Sequence, residues 1–183
     1  MDPEALVTPM YNVPVVVSLI TASQRHTEYR NEMGQRHRED GPALECIVGS
    51  PDGQKEWWVN GIRHRLDGPA VEFNGWFSYW WVNGQLHRED GPARILIKTQ
   101  GNRCEWYRHN KRHRLDGPAV IDNGGHEEWW VNDKRHRIDG PAYIQEDGHK
   151  VWFIEGIRIT DPIEIEYLEN GAHILQLAIA DNC

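Results

Sequence analysis

At 183 residues the chain is long enough for one domain with a real core. Its 26% charged residues and nine tryptophans fit neither a membrane protein nor a disordered chain. The net charge of −8 argues against a broad basic footprint for phosphate, so double-stranded nucleic acid is not an expected partner, whereas a basic partner suits an acidic surface.

In chain order, the first segment is 1–28. Its apolar run from Val13 to Ala22 is interrupted by Pro14 and Ser18 and is too short to span a bilayer. Asp2 and Glu4 stand where a secretion signal would be basic. The run reads as a strand capping one end of the domain. Cys46, Cys104 and Cys183 show no CxxC spacing, as expected of a reduced protein of the cytoplasm. No membrane association is expected.

Residues 29–156 are repetitive. The phrase His-Arg-x-Asp-Gly-Pro-Ala begins at His37, His64, His87, His113 and His136, with six of seven positions identical in all five copies. Each unit opens on a strand signal, as in Glu56-Trp57-Trp58-Val59, followed by Asn60-Gly61, a pair suited to a tight turn with both central residues at positive φ. Alternation along a strand separates the aromatics into two rows on opposite faces. Trp57, Trp80, Trp106, Trp129 and Trp152 form one row; Trp58, Trp81, Tyr107, Trp130 and Phe153 form the other. Asp67-Gly68-Pro69 is a loop signal, in which the glycine supplies backbone freedom and the proline keeps its predecessor out of the helical region. Ala70 then opens a second strand. The unit is a β-hairpin plus a structured loop. Long and short spacings alternate (27, 23, 26 and 23 residues between successive histidines). Longer tips are therefore expected near Gly49-Ser50-Pro51-Asp52 and Thr99-Gln100-Gly101-Asn102.

The final segment, 157–183, loses the phrase and reads as a second cap. Ile163-Glu164-Ile165-Glu166-Tyr167 alternates and predicts a strand; His173 to Ile179 predicts another strand or a short helix. The expectation is one all-β domain, an elongated single-layer antiparallel sheet of five to six stacked hairpins. About eleven strands at roughly 4.8 Å each would give a stack of about 50 Å.

This pattern resembles the MORN-like repeat proteins (membrane occupation and recognition nexus), and more particularly a subclass with the signature NGxxHRxDGPA associated with large DNA viruses and bacteriophages. The chain lacks the Gly-x-Gly that follows the hairpin in the better known pattern, and no lipid-binding role is carried over. The resemblance implies a twisted sheet used for binding or scaffolding. A viral or phage origin implies a host-directed protein interaction in the host cytoplasm, counter-defence included.

Five equal copies suggest a load shared along a stack rather than catalysis. Asp67 can accept from loop amides, or pair with Arg65 or with the arginine of the adjacent unit. His64 can stack on a neighbouring tryptophan or donate to a carbonyl; the five histidines can either pair with carboxylates or sit buried and neutral. Histidines one unit apart are roughly 10 Å from each other, too far to share one metal ion, so no metal or cofactor is expected. No nucleophile sits in a recognisable elbow, and no catalytic residue is assigned. A hydrolase site at the irregular His109, Asn110 and His113 is the remaining enzymatic reading. The candidate binding residues are Trp58, Trp81, Tyr107 and Trp130 on an aromatic face, and Trp76 and Phe77 outside the repeat pattern. Arg65, Arg88 and Arg114 are candidates for capture of a small anionic ligand such as a nucleotide. A protein partner is the leading expectation, and a second copy of the chain a further one.

Overall fold

The computed structural model describes residues 15–20, 25–47, 53–97 and 101–170. Thirteen antiparallel strands follow one another in chain order in one open, elongated sheet, from Val15–Ile20 through Arg25–Arg30 and Leu44–Ile47 to Lys150–Ile154 and Ile157–Ile159. The apolar run near the start supplies the edge strand, Val15–Ile20. Both long tips expected from the spacing, and the segment from His173 to Ile179, lie largely or wholly outside the described residues.

The repeating unit is more divided than a simple hairpin. Gln54–Glu56 belongs to the main sheet, whereas Trp58–Val59 pairs with Ile62–Arg63 in a separate two-stranded ribbon. Trp57 is the junction: its N–H donates to the Ala70 carbonyl, and its carbonyl accepts from His64 N–H. Three further ribbons pair Trp81–Val82 with Gln85–Leu86, Tyr107–Arg108 with Lys111–Arg112, and Trp130–Val131 with Lys134–Arg135. Their turns have both central residues at positive φ: Asn60 and Gly61 at 49° and 76°, His109 and Asn110 at 49° and 64°. The two units that lost the turn glycine, with Asn110 and Asp133 in its place, keep the turn, because asparagine and aspartate tolerate this conformation.

Neighbouring ribbons are joined along one edge of the sheet. Arg65 N–H donates to the Trp81 carbonyl, and Gly84 N–H to the Arg63 carbonyl; Arg88 with Tyr107, and Asn110 with Leu86, repeat the pattern. The phrase histidines complete the joint. His37 Nδ1 accepts the Asn60 N–H at 3.1 Å, His64 Nδ1 that of Asn83 at 3.2 Å, His87 Nδ1 that of His109 at 3.3 Å, and His136 Nδ1 that of Glu155 at 3.2 Å. His113 Nδ1 meets Asn132 Oδ1 at 3.0 Å. These histidines therefore bind the positive-φ residue of the next turn rather than stack on a tryptophan.

The sheet has few aliphatic residues in its core. Ala43, Ala70, Ala93, Ala119 and Ala142, each 0% exposed, are its most buried apolar groups, joined by Val71, Tyr107 and Val120. Backbone bonds put each alanine beside an aromatic residue on one side: Ala119 receives from Trp106 N–H, as Ala142 does from Trp129 N–H, while Ala119 N–H donates to the Glu128 carbonyl on the other. The phrase glycines are chosen for space. None has φ in the left-handed region, so backbone freedom is not their role. A Cβ on Gly68 would lie 2.8 Å from Arg65 Cζ, and one on Gly117 3.0 Å from Arg114 Cζ.

At the far end the alternating segment is a helix, 162–170, not a strand. Asp161 caps it through its carboxylate to Ile163 N–H (2.8 Å), Pro162 takes the first helical position and Glu164 the third. The capping signal outweighs the period-two pattern because Ile163 and Tyr167 have no sheet face to cover and stay exposed. Among the described residues no helix is long and apolar enough to cross a membrane.

Ala119→Leu should destabilise the fold by about 1–3 kcal/mol through overpacking at a position with no exposed surface. Chemical denaturation of the two proteins measures this; an unchanged midpoint would refute the alanine's packing role.

Candidate functional site

Arg65, Arg88 and Arg114 lie on one face, in three of five equivalent cages. Arg65 Cζ sits 3.9 Å from the centroid of the Trp57 ring, Arg88 4.1 Å from Trp80 and Arg114 4.2 Å from Trp106; Arg38 does the same over Tyr29 and Arg137 over Trp129. Each Nε donates to the aspartate two residues on, Arg65 to Asp67 at 3.0 Å and Arg88 to Asp90 at 2.8 Å. Each Nη1 donates to the carbonyl of the phrase proline. The aspartate thus pairs within its own unit. The arginine fork holds Asp40, Asp67, Asp90 and Asp116 below the ordinary aspartate value. The groove of about 550 Å³ between two phrase loops, floored by Trp106, has its guanidinium groups matched in the same way, with Arg108 facing Glu89 at 3.5 Å.

The second aromatic row occupies the opposite face, interleaved with another arginine column. Arg63 lies between Trp58 (4.6 Å) and Trp81 (5.6 Å); Arg112 lies between Tyr107 and Trp130, and Arg135 between Trp130 and Phe153. Behind these stacks is a row of buried glutamates, Glu28, Glu56, Glu105 and Glu128. Glu56 accepts from Trp58 Nε1 at 2.8 Å and Arg63 at 3.2 Å; Glu128 accepts from His126, Trp130 Nε1 and both nitrogens of the Arg135 edge. Glu105 accepts from Arg94, Arg103 and the Tyr107 hydroxyl, and Glu28 from Arg30 and Arg36. Burial raises the Glu28, Glu105 and Glu128 carboxyls, but their donors outweigh it and leave all three below 4.5. Burial and the Glu105 charge push the Tyr107 phenol up.

The glutamates are absent from the residues expected of the site by sequence, although their signal is there: a glutamate immediately before the first aromatic shares a face with the second. The third unit along the chain, counted from Tyr29 and including 79–86, shows the coupling. Tyr79 stands in the glutamate position and Leu86 in the arginine position, and Trp81 Nε1 is left without a partner among the described residues.

Trp76 and Phe77 lie together at the tip joining Val71–Phe73 to Phe77–Tyr79. Trp76 is 62% exposed and stacks on Phe73 at 6.2 Å; Phe77 stacks on Tyr79 at 4.9 Å and faces Leu96 across the sheet. Ile97, 42% exposed, donates its N–H to the Trp76 carbonyl. The corresponding turns elsewhere carry Gly125 with His126 and Gly148 with His149. The aromatic tip is therefore peculiar to one unit, and the structure separates it from the arginine cages on the other face.

His109 and Asn110 form a turn, and His113 binds Asn132, so these three do not converge on a common point. His109 contacts His87 instead, with ring centroids 4.3 Å apart. Among the described residues no group of three or more His, Cys, Asp or Glu is placed to hold a metal ion.

Arg135→Leu should cost about 3 kcal/mol, because it strips the buried Glu128 of its main counter-charge. Adding Glu128→Tyr, which copies the Tyr79/Leu86 pair, should return at least about 1 kcal/mol; a double variant no more stable than the single one would contradict the coupling. A second outcome concerns acid. Carboxyls lowered in the folded state stabilise it above their ordinary value of 4.5 and lose that contribution as pH falls through the folded-state values. Melting temperature should fall below about pH 4.5, and Glu105→Gln with Glu128→Gln should blunt that fall. No family model matches the chain and no curated protein matches it in sequence.

Proposed function

We propose that this protein is a non-enzymatic binding scaffold that engages a protein partner through the Phe73–Trp76–Phe77 tip. The observation that carries the reading is Trp76: it lies outside the repeat, it is the most exposed aromatic of the tip cluster, and most of its surface stays open beyond its stacking on Phe73. The polar groups of the phrase, by contrast, are used within the stack, each aspartate by its own arginine and each histidine by the next turn. A catalytic site needs such groups free to meet a substrate. A large ring on a short, hydrogen-bonded tip is the kind of anchor that protein interfaces favour. The small concavity of about 200 Å³ beside it, lined by Lys55, Glu72 and Phe77, gives a partner a rim with both charges. A host protein is the proposed partner class, on the resemblance of the repeat to those of large DNA viruses and bacteriophages.

Trp76→Ala should leave the melting temperature essentially unchanged and weaken a partner captured by the intact protein at least about 30-fold, the effect of losing a 2 kcal/mol anchor. Affinity measured with the purified partner checks this. Equal affinity of the variant would remove the tip from the interface. A partner lost only when the fold is lost would argue against the scaffold reading.

A further inference from the structure

The glutamate and arginine columns break differently in two units. Unit three loses both members, as Tyr79 and Leu86. The last unit loses only the acid. Phe153 pairs with Arg158 as Trp58 pairs with Arg63 and Trp130 with Arg135, so Arg158 is the arginine of that column. Val151 stands where Glu56 and Glu128 stand, in register with Tyr143. Arg158 is exposed and enters no ion pair among the described residues.

Its guanidinium opens onto a concavity of about 400 Å³ on the same face, within the range of small-molecule sites. The lining holds no carboxylate; Glu146 and Asp147 line the adjoining groove instead. The exposed His149 ring stands at one side. Gln145 donates to the Tyr143 hydroxyl at 3.3 Å, which leaves the hydroxyl proton of Tyr143 free to donate outward. Tyr143 and Phe153 supply ring surface, with Arg135 held between them at 4.8 and 5.4 Å.

We propose that this concavity binds a small phosphorylated ring compound of the nucleoside monophosphate class. Arg158 and His149 take the phosphate, since a planar fork and an imidazole N–H match its oxygens. The base packs on Arg135, whose guanidinium lies between Tyr143 and Phe153, and against the free edges of those rings. This site is separate from the Trp76 tip, and either stands without the other.

Calorimetric titration of the whole chain with adenosine 5′-monophosphate, adenosine and inorganic phosphate tests it, with circular dichroism as the check on folding. The monophosphate should bind at least tenfold more tightly than either fragment. Arg158→Gln should weaken it at least tenfold. Val151→Glu should do the same, by giving Arg158 the internal carboxylate that Arg63 and Arg135 have. If the Val151 variant does not fold, Arg158→Gln and His149→Ala decide. No binding at about millimolar monophosphate, phosphate binding as tightly as the nucleotide, or an affinity unmoved by Arg158→Gln would each overturn the proposal.

Discussion

The stack depends on one contact repeated five times: an arginine laid flat on an aromatic ring and held there from three other directions. The ring attracts the cation from below, and an exposed stacking of this kind contributes about 0.5–1 kcal/mol, more where water is excluded. Aspartate fixes one edge of the guanidinium, the proline carbonyl takes another nitrogen, and the glycine backbone closes the top with no room for a Cβ. Every constant residue of the phrase then has a physical reason. Arginine stacks, aspartate orients it, glycine clears space and proline presents its carbonyl. Alanine fills a position with no exposed surface and histidine reaches the next turn.

The opposite face solves a harder problem, because it buries carboxylates. A buried glutamate is tolerable only with its donors in place. Each is met by two or more, drawn from indole, phenol, imidazole and guanidinium groups. Unit three drops acid and base together, which avoids stranding either charge. The two faces thus contain the same ingredients, aromatic and guanidinium, arranged with the acid exposed on one side and buried on the other.

Much of this was legible in the residues. Period-two alternation separates the two aromatic rows, and Asn-Gly announces the turns. Three things were not. The division of each unit into sheet and ribbon depends on Trp57 exchanging one hydrogen-bonding partner for another, which no local pattern encodes. The buried glutamates look like solvated strand residues, since their donors come from strands and ribbons that only folding brings near. The glycines of the phrase sit in an ordinary turn signal, and their steric purpose appears only when the guanidinium lies against them. Residues 162–170 show the reverse case: Asp161-Pro162 held the helix signal in plain view, beside an alternation that pointed to a strand.

The joints between ribbons give the chain a direction. One edge of a unit offers an arginine N–H, a carbonyl and an imidazole nitrogen; the other offers an aromatic residue's carbonyl and two turn N–H groups. The edges complement each other and neither complements itself. A duplicated unit therefore arrives with both halves of every joint already encoded, and can be spliced between its neighbours without a change to either. Lengthening such a protein asks only for copying, and five phrases with six letters unchanged meet that condition.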